Sequence, residues 1–215
     1  MSFSKPTIYI SYSHEDVDRD SLDAFVNWLV ELSNNELDVL YDDDLNPGRD
    51  LKEFMKKLYE VDASMIIMTP SYKRKVVNRT KGGVYTEYKY IYERYSEMEK
   101  KKKDGLQYDD FALIPILFSG TPESSVLDEF ANLKYADFRN FKAIRDKRDE
   151  LIVPDSIKTQ FKPEMKKILA EIMTVNSHNS PIYKKHYEEL FKFLFTDTKA
   201  DWQTTSSNIQ TIKEI

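Results

Sequence analysis

The chain contains no cysteine, which removes disulfides, thiolate nucleophiles and every Cys-ligated zinc or iron–sulfur site. Its five glycines (Gly48, Gly82, Gly83, Gly105 and Gly120) cannot assemble a dinucleotide-binding G-x-G-x-x-G or a Walker A loop. Three histidines, His14, His178 and His186, leave little for metal binding. No apolar stretch approaches the roughly 20 residues of a membrane span. The opening MSFSKPTIYISYS lacks the apolar run of a signal peptide. The expectation is a cytoplasmic protein without membrane contact. Positive charge is also in deficit: 32 Lys and Arg face 37 Asp and Glu, a formal net charge of -5. Nucleic-acid binders usually lean the other way, because phosphate neutralisation supplies most of their affinity, so direct binding to nucleic acid is not expected.

Apolar and aromatic side chains are plentiful. Hydrophobic residues make up 40% of the 215 and aromatics 13%, enough to bury a core. Against about 150 residues per domain, the length indicates one domain with an extension. Thr7–Tyr12 (TIYISY) predicts a buried strand, and Leu22, Phe25, Val26, Leu29, Val30 and Leu32 recur at helical spacing over 18–34. Leu37–Tyr41 predicts a second strand, opening into a turn-rich loop over 42–50. Asp50 resembles the N-cap of a helix carrying Leu51, Phe54, Met55, Leu58 and Tyr59. Ala63–Thr69 and Phe111–Phe118 are continuous apolar runs, as expected of central parallel strands covered on both faces. Between them a polar, basic stretch over 70–83 precedes a long helix from Val84. Leu133–Phe138 predicts a fifth strand. Alternation of this kind gives a parallel sheet with helices on both faces. Later, Pro163 is placed at the opening of a helix, which breaks at 176–181 before an apolar-faced segment and a polar tail.

Ligands of open α/β sheets bind outside the carboxyl ends of the strands. That rule selects 11–16, 42–50, 70–87 and 119–123, which hold four of the five glycines. At 79–87 a Gly82-Gly83 pair meets a helix start whose free N–H groups can hold an anion, behind the basic Lys73, Arg74, Lys75, Arg79 and Lys81. Glu87 stands one turn into that helix with Tyr85 beside it. A carboxylate there can accept sugar hydroxyls and face an oxocarbenium-like centre. On spacing alone, however, Glu87 is an ordinary first-turn acid favouring the helix dipole. Asp42–Asp44 are consecutive and do not converge on a metal. His14 reads as a surface residue, and neither Ser11 nor Ser13 has the G-x-S-x-G elbow of a nucleophilic serine. Tyr88, Tyr92 and Tyr95 form a core stripe.

Several motifs together resemble one family. Ile8-Tyr9-Ile10-Ser11-Tyr12-Ser13 is similar to the opening strand of Toll/interleukin receptor (TIR) domains and the related SEFIR domains. Asp43 with Leu45-Asn46-Pro47-Gly48 and Leu51 resembles their BB loop. Tyr72, Lys75, Arg79, Gly82-Gly83-Val84 and Glu87 resemble the form found in bacterial members. Ile114–Gly120 and Tyr135-Ala136-Asp137-Phe138 continue the likeness, which covers about residues 5–175. It implies a flavodoxin-like α/β fold with a five-stranded parallel sheet. The implied division is a TIR/SEFIR-like domain over 1–175 and a C-terminal helix with a polar tail over 176–215, a linker or oligomerisation element.

The resemblance implies an NAD⁺ glycohydrolase that cleaves the nicotinamide–ribose bond, giving nicotinamide with ADP-ribose or a cyclic isomer, in bacterial antiviral defence. NAD⁺ is then the substrate, and no cofactor or metal is required. By position, Glu87 matches the catalytic glutamate, and Ser11 and Tyr12 match strand-end positions lining the nucleotide pocket. Asp44 and Gly48 lie in the gating loop, through which subunits self-associate. Tyr85 is the candidate for stacking on the substrate, and Arg79 for contact with phosphate or with Glu87. Many active relatives carry a tryptophan four residues before the glutamate, where this chain has Gly83. The alternatives are a non-catalytic adaptor acting through TIR–TIR contacts with a sensor or effector protein, and a nucleoside deoxyribosyltransferase-like enzyme.

Overall fold

The computed structural model describes residues 5–41, 57–80 and 83–179. Its centre is the two apolar runs. β3 (Ala63–Met68) and β4 (Ala112–Leu117) are buried at every residue and pair in parallel from Ala63↔Ala112 to Met68↔Leu117. β1 (Thr7–Ser11) lies on the other side of β3, with Ser11 opposite Ile66. β2 (Asp38–Leu40) and β5 (Ala136–Asp137) close the edges, giving the all-parallel order β2-β1-β3-β4-β5. This is the flavodoxin-like order, whose direction reverses between β1 and β3. β6 (Ile144–Arg145) and β7 (Leu151–Ile152) form a separate antiparallel pair.

Strand side chains alternate between faces, and here each face has its own helical cover. Ile8, Ile10, Met65, Ile67, Ile114 and Ile116 join one core cluster with Leu22, Phe25 and Leu29 of α1 (Arg19–Leu32) and Met165, Leu169 and Ile172 of the C-terminal helix. Tyr9, Ile66, Met68, Leu113 and Leu117 join a second cluster, under Tyr72 and Val76 of α2 (Pro70–Val77) and Tyr88 and Ile91 of α3 (Gly83–Lys103). The expected α/β sandwich is therefore present. The tyrosine stripe packs into the second cluster, with the Tyr88 and Tyr92 rings stacked 5.7 Å apart.

Two helices depart from the expectation. The basic stretch after β3 is largely helical: α2 starts at Pro70, with the Thr69 hydroxyl accepting from the Tyr72 N–H at 3.2 Å. A Thr N-cap followed by proline at the first helical position is a start signal written in the sequence. The surrounding Lys and Arg residues concealed it. The C-terminal helix runs Asp155–Asn179 with Pro163 inside it, so the proline does not open it. Proline tolerates an interior position at the loss of one backbone hydrogen bond, which packing of Phe161, Met165 and Ile168 offsets here. That helix (α5) follows a short α4 (Pro122–Ser125) and runs to Asn179, into the break expected over 176–181.

Gly120, just after β4, has φ +79, and a β-carbon there would stand 2.3 Å from Ser125 Oγ and 2.7 Å from Pro70 Cγ. Only glycine lets the β4 exit close onto the start of α2. Gly120→Ala is expected to destabilise the fold by about 2 kcal/mol through strain and overlap together, read as a lower urea midpoint. An unchanged midpoint would contradict the close approach.

Candidate functional site

β1 and β3 end side by side at the point where strand order reverses, and Ser11 is the last residue of β1. Ser11 shares the face of Tyr9, so its side chain turns toward α2 and α3. There its hydroxyl donates to Glu87 Oε2 at 2.8 Å, across 76 residues of sequence. The same oxygen lies 2.9 Å from the Tyr72 hydroxyl. Ser11 has one proton and gives it to the carboxylate, so Tyr72 is the donor in the second bond. All three groups are buried: Ser11 and Tyr72 are 0% exposed and Glu87 4%. Burial pushes the Tyr72 phenol well above the ordinary tyrosine range, and the nearby Glu87 charge adds to this.

Glu87 thus departs from the ordinary first-turn acid, whose carboxylate faces water. Gly83, the first residue of α3, lies one turn before it, and a β-carbon there would stand 3.0 Å from Glu87 Oε1. Gly83 is thus an exposed glycine directly over the carboxylate. Gly83→Ala is expected to press on Oε1 and displace the carboxylate by a few tenths of an ångström. The helix start itself should gain about 0.5 kcal/mol from alanine. A displaced Glu87 carboxylate in the variant's crystal structure, with unchanged or raised melting temperature, is the predicted signature.

The other expected site residues divide. Tyr12 follows Ser11 directly and so points to the opposite face. There its hydroxyl accepts from Arg19, and its ring meets His14 at 4.6 Å and Tyr41 at 6.5 Å. Arg19 also lies 4.7 Å over the Tyr41 ring and pairs with Asp23 at 2.9 Å. Burial and the Asp23 hydrogen bond push the Tyr41 hydroxyl up to about 12. Tyr85 is two residues before Glu87, about 200° round the helix, and packs against the cluster containing Tyr88. Arg79 is exposed in the left-handed turn that ends α2, at φ 50. Asp44 and Gly48, with the whole 42–50 loop, lie outside the described residues, as does Gly82.

The basic patch is largely paired. Lys73 reaches the Glu123 carbonyl at 3.1 Å, while Arg74 and Lys75 both hold Glu15, the latter at 3.1 Å. The Lys75 hydrogen bond foremost holds the Glu15 carboxyl below the usual carboxylate range. Lys75 also donates to Ser13 Oγ at 3.0 Å. Asp16 accepts from the Ser71 N–H at 2.8 Å and the Thr69 hydroxyl at 2.7 Å, so a protein carboxylate already caps α2. These bonds tie the exit of β1 to the start of α2 and fix where Ser11 and Tyr72 meet. In the sequence Tyr72 stands out only within a motif; its place three residues after the Thr69 cap, on the inward helix face, is the signal that marks it.

Among the described residues, no group of three His, Asp or Glu side chains is placed to hold a metal ion. Nor is any of their helices long and apolar enough to cross a membrane.

Comparison with curated proteins gives no match. Among solved structures, the chain is similar to one described as a prokaryotic SEFIR domain. The two share 20% identity over 75% of this chain and 97% of that one, with a TM-score of 0.37. The family profile described as "TIR_2: TIR domain" matches residues 8–152, which run from β1 through β7 and include Ser11, Tyr72, Gly83 and Glu87. With that match spanning more than half of its length, the chain belongs to the TIR domain family.

Proposed function

We propose that this protein is a TIR-type NAD⁺ glycohydrolase in which Glu87 is the catalytic carboxylate. The observation that carries the reading is a glutamate 4% exposed at the strand-order reversal, held by a serine from the neighbouring strand. Burying a carboxylate is costly, and a first-turn acid with no task would be solvated. Enzymes of this fold class place their chemistry at this end of the sheet.

The reaction needs little else from the protein. The C1′–N bond of the nicotinamide ribose breaks and its electron pair leaves with the pyridinium, which departs as neutral nicotinamide. Positive charge develops at C1′, and a fixed carboxylate in a water-poor site stabilises it while accepting hydrogen bonds from ribose hydroxyls. Attack by water, with loss of a proton, gives ADP-ribose; attack by another nucleophile within the same molecule gives a cyclic isomer. Self-association through the 42–50 loop assembles the active form, in a cytoplasmic defence role.

The test is NAD⁺ consumption by the wild type and Glu87→Gln, each concentrated or crowded to favour assembly, with products separated by chromatography. Consumption by the wild type alone supports the enzyme. An assembled wild type that leaves NAD⁺ intact points instead to an adaptor. Base exchange on nucleosides without net NAD⁺ loss indicates a deoxyribosyltransferase-like enzyme.

A further inference from the structure

We propose that Tyr72 is a positioning residue of this site: its hydroxyl donates to Ser11 Oγ, turning the Ser11 proton onto Glu87 Oε2 and fixing the carboxylate. The inference rests on the reading of Glu87 as the catalytic carboxylate. Three elements supply the chain of bonds: α2 supplies Tyr72, β1 Ser11 and α3 Glu87. The distances, 2.9 Å and 2.8 Å, are those of ordinary hydrogen bonds. A serine hydroxyl rotates freely unless its lone pairs are claimed, and a tyrosine donor on one side selects the rotamer that donates on the other. Because burial keeps the Tyr72 phenol protonated through the working pH range, the direction of donation does not reverse. A phenylalanine would fill the same space in the second core cluster. The hydroxyl therefore contributes little to packing, and among the described residues its hydrogen-bond partner is Ser11.

The experiment compares wild type, Tyr72→Phe and Ser11→Ala as full chains under the assembling conditions above. Tyr72→Phe is expected to lower kcat about tenfold, the worth of one buried hydrogen bond, with KM for NAD⁺ unchanged because Tyr72 is inaccessible to ligand. The acid limb of the kcat–pH profile should move to higher pH in both variants, since Ser11→Ala removes the donor that favours the charged carboxylate and Tyr72→Phe leaves that donor unoriented. Unchanged kcat in Tyr72→Phe, or a fall in kcat with the acid limb in place, would overturn the proposal. A second readout is independent of turnover. The Ser11 hydroxyl proton is followed by proton NMR, assigned by its loss in Ser11→Ala, and should shift in both Tyr72→Phe and Glu87→Gln. A resonance unmoved in Tyr72→Phe overturns the relay whatever the substrate. A resonance that moves, in a protein that consumes no NAD⁺, supports the relay and refutes the NAD⁺ reading alone.

Discussion

On the proposed reading of Glu87 as the catalytic carboxylate, Glu87→Gln is expected to reduce NAD⁺ cleavage by about 10³-fold, a loss of ~4 kcal/mol of transition-state stabilisation. Glutamine keeps the shape of the side chain, and its amide oxygen still accepts the Ser11 proton now donated at 2.8 Å. The negative charge disappears, and with it the interaction that grows as C1′ becomes cationic. The fold should change little, by about 1 kcal/mol, because the buried Ser11 hydroxyl keeps its acceptor. KM should also move little, since the charge matters most in the transition state. Glu87→Ala is a poorer probe, because it leaves the buried Ser11 hydroxyl without its acceptor. Turnover by Glu87→Gln within about tenfold of wild type would remove the carboxylate from the mechanism.

The largest stability effect is expected at Phe25. This α1 residue is 0% exposed, and its ring meets Phe138 at 5.1 Å, Phe141 at 5.6 Å and Phe118 at 6.1 Å, all edge-on. Phe161 of α5 stacks on Phe138 at 4.9 Å, so one aromatic cluster joins α1, α5 and the exits of β4 and β5. Phe25→Ala removes the central ring and leaves a cavity that rigid neighbours cannot fill, at a cost of about 3–5 kcal/mol. Against a typical total of about 5–15 kcal/mol, that is a large fraction. Urea denaturation should show a lower midpoint at unchanged slope. A loss below about 1 kcal/mol would mean that the cluster collapses around the gap.

Much of the scaffold was legible because it is written in local pattern. Apolar runs of strand length at 63–69 and 111–118 can be satisfied only by burial on both faces, and the helical periodicity of 18–34 and 84–98 matches α1 and α3. Where strong local charge overlay a start signal, as with Lys73, Arg74 and Lys75 after Thr69-Pro70, the helix was missed. Pro163 misled in the opposite sense, since packing on both sides of it outweighed its local preference.

By itself the sequence determined the fold class and a glutamate one turn after a glycine pair. Whether that glutamate is solvated or held was a tertiary decision. It depends on β1 and β3 being neighbours, on Ser11 rather than Tyr12 having the parity that faces α3, and on the β1 exit being tied to α2. Residues 11, 72 and 87 carry no periodic signature linking them. Local pattern reports which face a side chain prefers, whereas strand order and register alone decide what stands opposite it.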